Sequence, residues 1–204
     1  MRKSFYGFLY FLILGLAASC TSYQAGREST IPSVRKFSAF SYIKENRDLA
    51  VIVDTELARR RKGEDYFPLG IKIANKSIEG LIVDRESLLL VDQEGKVYSM
   101  PDILELQKYY DLLAPDHKFK SQTGLIGDQM LTSFSYFRKA VSNFFPETQG
   151  AAKVVDRVYI QKNGYMEDLI YFPMPPGGIE GKILTLRLDA LQLDAPFEIG
   201  FPVD

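Results

Sequence analysis

Short apolar runs that alternate residue by residue, each cut off by glycine, proline or asparagine, recur along this chain and restrict it to a mainly β fold. The rhythm is clearest near the C-terminus. In Lys182–Leu188, Leu184, Leu186 and Leu188 share one face and Ile183 takes the other; in the last run, Phe197, Ile199, Phe201 and Val203 share a side. Leu69, Ile71 and Ile73 alternate with Gly70, Lys72 and Ala74, the period of a half-buried strand. Pro68 belongs near the start of that strand or at an edge, because it has no N–H to give a ladder. Leu49 to Leu57 reads as a β-branched strand ended by a charged turn from Arg59 to Asp65. Leu81–Val83 is a further short strand. Ser87–Asp92 and Lys96–Ser99 flank Gln93-Glu94-Gly95, the spacing of a β-hairpin. Val154–Ile160 leads into Asn163-Gly164, which favours a tight turn, and Asp168–Phe172 follows before Pro173-Met174-Pro175-Pro176. Many short strands split by turn residues predict a β-sandwich.

One stretch breaks the rhythm. After Pro101, Asp102 is placed to cap a helix in which Ile103, Leu106, Tyr110 and Leu113 recur at helical spacing, with Pro115 closing it. A second helix fits Gly127 to Phe145, with Met130, Phe134, Phe137, Val141 and Phe144 along one stripe. Between them a polar loop holds His117 and Gly124. These helices read as an insertion between two sandwich strands, packed over one sheet or one end.

The run from Tyr66 to Tyr98 resembles the first half of immunoglobulin-like (telokin-like) domains of bacterial envelope lipoproteins. Those read as an apolar strand, Asn-x-Ser, an aliphatic strand, then a Leu-rich strand ending in Asp-x-x-Gly before a Tyr. The matching residues are Ile71 to Ala74, Asn75-Lys76-Ser77, Leu88 to Asp92, Gly95 and Tyr98. In the second half, Asn163-Gly164, Leu169-Ile170-Tyr171-Phe172-Pro173 and Phe197 match as well. The resemblance implies the fold class: mainly β, an immunoglobulin-like β-sandwich with a two-helix insertion at about 102–145. It brings an envelope setting and no catalytic residues.

The only cysteine is Cys20. Arg2 and Lys3, an apolar run from Phe5 to Leu16, and the small residues Ala17-Ala18-Ser19 precede it, the layout of an export signal. A transmembrane span needs about 20 apolar residues, more than this run offers. A lone thiol at that boundary resembles the lipobox of bacterial lipoproteins. That resemblance implies cleavage before Cys20 and acylation of Cys20 as the new N-terminus, palmitate included. Thr21 follows, where an Asp would favour the inner membrane, so the implied place is the periplasmic face of the outer membrane in a cell that has one. The expected organisation is a signal peptide at 1–19, an acylated cysteine and flexible tether at 20–36, and the sandwich at 37–204 with its insertion within 101–150. With Cys20 committed to the anchor, no disulfide forms within a mature monomer, and packing alone holds the domain.

Candidate chemistry is sparse. His117 is the only histidine and follows Pro115-Asp116; no nucleophile-elbow motif surrounds the nearby Ser121. A solvated loop histidine is the expectation. The sequence offers no paired His for zinc, and Asp92-Gln93-Glu94-Gly95 carries only fragments of a calcium loop. No catalytic residues, metal or cofactor are therefore expected. The net charge is −1, and the one basic run, Arg59-Arg60-Arg61-Lys62, is followed at once by Glu64 and Asp65 and reads as a solvated turn. No basic stripe is interleaved with aromatics, so no nucleic-acid partner is expected. The expectation is a non-enzymatic, membrane-anchored envelope lipoprotein that acts as a protein-binding or structural module. A protein partner would dock on Phe134, Phe137, Val141 and Phe144. The alternative is a small-molecule or lipid-binding protein with an apolar pocket between helices and sandwich.

Overall fold

Alternation places the strands, and the order in which they pair places everything else. The structure is a computed structural model that describes residues 34–123, 138–145 and 154–203, the side chains of 119–123 excepted. All of these belong to the unit spanning Ile31–Asp204. In chain order the elements are β1 (Arg35–Lys36), β2 (Ser41–Glu45), β3 (Leu49–Asp54), α1 (Glu56–Arg60), β4 (Tyr66–Asn75), β5 (Gly80–Asp84) and a single 3-10 turn at Arg85–Ser87. Then come β6 (Leu88–Val91), β7 (Val97–Ser99), α2 (Ile103–Lys108), α3 (Tyr110–Thr123), β8 (Arg138–Lys139), β9 (Arg157–Gln161), β10 (Gly164–Pro173), β11 (Lys182–Leu188) and β12 (Phe197–Val203).

The strands form a six-stranded sheet, β1-β2-β3-β4-β10-β8, a four-stranded sheet, β12-β11-β6-β7, and a two-stranded ribbon, β5-β9. Pairing is antiparallel except for β8, which runs parallel to β10. Leu184, Leu186 and Leu188 of β11 and Phe197, Ile199, Phe201 and Val203 of β12 are buried in one core with Val51, Phe67, Ile71 and Phe172 of the large sheet. Burying one such side chain contributes about 1.5–3 kcal/mol. The mainly β sandwich with a small helical insertion that the sequence predicts is therefore what the chain builds.

β4 is the middle of the large sheet, with β3 on one side and β10 on the other. It is buried along its whole length, not on one face as its alternation predicts. The outer face is covered too: Tyr66 packs with helical residues, and the buried Lys72 lies 4.7 Å from the Tyr165 ring centre and 4.0 Å from Glu167. Pro68 pairs with Tyr171 of β10, but β3 stops with Asp54 opposite Gly70. The β3 side of Pro68 is thus a local edge, where a missing N–H costs least.

Two turns follow their sequence chemistry. Gly95 has φ +81° between β6 and β7, and Asp92 Oδ1 accepts from the N–H groups of Glu94 and Lys96 at 3.1 and 2.8 Å. Asn163 has φ 59°, and a Cβ on Gly164 would sit 2.9 Å from the Gln161 carbonyl oxygen. This Asn-Gly turn carries the chain from the β5-β9 ribbon into the large sheet and closes no hairpin of its own.

Elsewhere the chain departs from its local pattern. The run Leu49 to Leu57 is strand only to Asp54; α1 follows, and Asp54 Oδ1 accepts from the Glu56 N–H at 2.9 Å. The basic run is part helix end and part solvated turn: Arg59 and Arg60 close α1, Arg61 and Lys62 begin the turn, and Arg60 and Lys62 are exposed. Arg60 pairs with Glu56 at 3.3 Å, Lys62 with Glu180 at 2.6 Å, and Arg61 points inward. The first insertion helix is two. Asp102 Oδ1 does accept from the Leu104 N–H at 2.7 Å, but α2 ends at Lys108 and α3 runs through Pro115. A proline inside a helix removes one ladder bond and crowds the carbonyl four residues back. Here tertiary contacts of Leu113 and Asp116 override that cost. Of the second predicted helix, 127–137 lies outside the described residues. Its end is not helical: Arg138 and Lys139 pair with Gly164 and Tyr165, and Phe144 and Phe145 sit in a bend. The two phenylalanines enter different cores, Phe144 the one between the sheets and Phe145 the one outside the large sheet. Neighbours on opposite sides follow the period of extended chain, not of a helix.

Candidate functional site

The insertion leaves the sandwich after β7 and rejoins the large sheet at β8, and one side chain ties its departure to Phe144, shortly after that return. Arg85, in the 3-10 turn after β5, is 7% exposed. Its Nη2 donates to the Pro101 carbonyl at 2.7 Å and its Nη1 to the Phe144 carbonyl. The Phe144 N–H in turn donates to Asp168 Oδ2 of β10 at 2.9 Å, and the guanidinium stands 6.0 Å from the Phe144 ring centre. Burial pushes the Arg85 pKa down; the nearby carboxylates of Asp156, Asp102 and Asp168 oppose that shift. A guanidinium keeps its charge at any ordinary pH, so the clasp does not switch with pH through Arg85 itself.

Beside this root lies a cleft of about 890 Å³. Asp84, Arg85, Glu86, Asp102, Asp156 and Arg157 line it, with Met100, Pro101 and Ile103 supplying its apolar part. Arg157 Nε reaches Asp84 Oδ1 at 2.5 Å. The size suits a small ligand. The lining mixes charged and apolar groups, so this cleft is not itself the apolar pocket expected between helices and sandwich.

Further out, α2 and α3 lie on the outer face of the large sheet. Leu106 and Leu113 pack with Tyr66, Leu169, Tyr171, Leu57 and Phe145 in a cluster separate from the main core. Aromatic rings dominate it. Tyr109 meets Tyr66 edge-on at 5.0 Å, while Tyr110 stacks on Phe145 at 5.7 Å. His117 stacks on Phe145 at 4.9 Å and 15°, so it is a packing residue on α3, not the solvated loop histidine the sequence predicts. Next to it is a buried ion pair. Arg61 Nη2 lies 3.0 Å from Asp116 Oδ1, Arg61 Nε lies 3.2 Å from each Asp116 oxygen, and the two side chains are 12% and 9% exposed. Arg61 also donates to the Leu112 carbonyl, and the Tyr171 hydroxyl is 3.2 Å from Asp116 Oδ2 and 3.3 Å from the Leu113 carbonyl. Burial raises the Asp116 pKa; Arg61 and Tyr171 act against it. Burial, with Asp116 next, pushes the Tyr171 phenol far up. Tyr66 is raised likewise by burial and by its bond to Glu105.

Of the residues singled out in the sequence, Cys20, Phe134 and Phe137 lie outside the described residues. Val141 is 86% exposed, whereas Phe144 is fully buried and locked under Arg85. These two therefore do not share a docking stripe, and Phe144 offers no partner a surface. Leu104 and Leu112, on the outer side of α2 and α3, are exposed. Arg85 and the Arg61–Asp116 pair escaped sequence reasoning. Arg61 stands inside a run that reads as solvent-facing, and nothing local marks Arg85 as the residue that turns inward. Among the described residues no group of three or more His, Cys, Asp or Glu side chains is placed to hold a metal, and no helix is long and apolar enough to cross a membrane.

No protein-family model matches the chain, and no curated protein matches it. Among solved structures, a "putative lipoprotein (ycdA)" from Bacillus subtilis subsp. subtilis str. 168 aligns at TM-score 0.37 and 11% identity, over 83% of this chain and 38% of that one. A DUF4426 family protein (PA0388) from Pseudomonas aeruginosa PAO1 aligns at TM-score 0.27 and 14% identity, over 79% of this chain and 90% of that one. This chain thus spans well under half the length of the Bacillus protein. At these scores neither likeness bears on what the chain does.

Proposed function

We propose that this chain is an envelope lipoprotein, held to the membrane by an acylated Cys20, whose β-rich domain binds a protein partner or serves as a structural module and catalyses no reaction. The leader and the lone cysteine at its end carry the reading. One acyl chain of myristoyl length holds only marginally, so durable anchoring takes more than one. Thr21 at the position after the cysteine supports the outer membrane, facing the periplasm, as the destination. The four-stranded order β12-β11-β6-β7 supports the immunoglobulin-like form, because strands G, F, C and C′ of that fold lie side by side in the same succession. The partner-facing surface is the insertion, where Leu104 and Val141 stand 70% and 86% exposed.

The test is Cys20→Ser. The wild-type chain is expected in the membrane fraction, with its mature N-terminus carrying the mass of its acyl chains. The variant is expected to leave that fraction; its retention there without acyl mass would end the proposal. The cleft supports one second reading, a binder of small ligands, its charged groups Asp84, Arg85, Glu86, Asp102, Asp156 and Arg157 favouring polar ones.

A further inference from the structure

We propose that α2 and α3 form a hinged flap, rooted at the Arg85 clasp and latched midway along α3 by the Arg61–Asp116 pair, that opens without unfolding the sandwich. The inference does not rest on the anchoring reading.

Three features carry it. Among the described residues, the flap's apolar contacts with the body, Leu106 and Leu113 with Leu57, Tyr66, Phe145, Leu169 and Tyr171, form their own cluster, which shares no residue with the core between the sheets. Lifting it leaves the sandwich core packed. The polar part of its attachment is ionic: Arg61 holds Asp116 and the Leu112 carbonyl, and Tyr171 reaches Asp116, beside the His117 ring stacked on Phe145. A buried ion pair adds little net stability over well-packed apolar groups, since desolvation of both charges offsets their attraction. Pro115 also removes one ladder bond from α3 itself. The root is different in kind. Arg85 grips the Pro101 and Phe144 carbonyls from a buried position in the body, and the Asp168 carboxylate holds the Phe144 N–H. An opening motion therefore pivots at Pro101 and bares the aromatic face of β4 and β10 that the flap covers. Regions that open in this way are joined by few buried contacts and exchange their amides ahead of the core.

Native-state hydrogen exchange on the full chain tests this. The reporters are the N–H groups of Leu106, Tyr109 and Leu113, each bonded within the flap at 3.0 Å, against the ladder amides of β4 and β11. In the wild type the flap amides are expected to exchange through a smaller opening than the ladder amides; one common opening for both sets overturns the proposal. In Arg61→Ala, flap exchange is expected to rise about 100-fold with ladder exchange unchanged. An equal rise in both sets, or no rise in the flap, overturns it. Asp116→Asn, which keeps the shape and weakens the latch, is expected to give the same pattern at smaller amplitude, and a ladder-only response there is equally fatal.

Discussion

The two faces of the large sheet are packed by different physics. Its inner face meets β6, β11 and β12 across a core in which Phe67, Ile71, Leu186 and Phe201 touch apolar neighbours. Its outer face, at Tyr66, Leu169 and Tyr171, meets helices through rings that keep hydroxyls and charges among them: Tyr66 with Glu105, Tyr171 with Asp116, Asp116 with Arg61. The inner face gains from every methylene it hides. On the outer face part of that gain goes into desolvating charge, so it fixes where the helices lie more than it strengthens the fold. One pair of strands, β4 and β10, thus belongs to two compartments of different chemistry.

Three measurements sharpen or break this contrast. The largest effect is expected from Phe201→Ala, which opens a cavity in the inner core and costs about 3–5 kcal/mol. Urea unfolding followed by both near-UV and far-UV signals should move as one transition; separate transitions would show that the inner core is not the cooperative unit. A smaller effect is expected when Arg61→Met and Asp116→Leu are combined. Replacing a buried pair by apolar groups of similar size should leave stability within about 1 kcal/mol of wild type. A loss near that of Phe201→Ala would place the pair among the main stabilising contacts. The smallest effect concerns pH. Burial holds the folded Asp116 carboxyl above its ordinary range. The folded state then binds this proton more tightly than the unfolded state, so the group's contribution is full below the unfolded pKa of about 3.9 and declines as pH rises through the folded value. Stability of wild type minus that of Asp116→Asn, from urea titrations across the acid range, is expected to fall as pH rises. A difference that grows instead would mean that Arg61 outweighs desolvation.

Legibility in the sequence followed the same division. β11 and β12 could be read in full, because a core on one side only writes a strict in–out alternation: Leu184, Leu186, Leu188, then Phe197, Ile199, Phe201, Val203. β4 was readable as a strand but not as a doubly covered one, since Gly70, Lys72 and Ala74 carry the composition of an open face while the fold covers them. The insertion was legible only at its entrance, where Asp102 caps α2. Pro115 reads as a stop in any local scheme, and the contacts that hold the helix on either side of it, Leu113 in the outer cluster, Asp116 with Arg61 and Tyr171, and His117 on Phe145, come from far along the chain. Val141 and Phe144 fit a helical stripe by spacing; the chain uses Phe144 and Phe145 as single wedges on opposite sides of a sheet. Arg85 and Arg61 carry no local mark, because their partners are backbone carbonyls and a carboxylate far along the chain.

Because a single guanidinium joins the points where the chain departs and comes back, the host scaffold feels a closed boundary whatever lies between. Entropy of closing a longer excursion grows only with the logarithm of its length. A change of length beyond Pro101 is therefore expected to cost the sandwich little in closure entropy, provided the arginine stays.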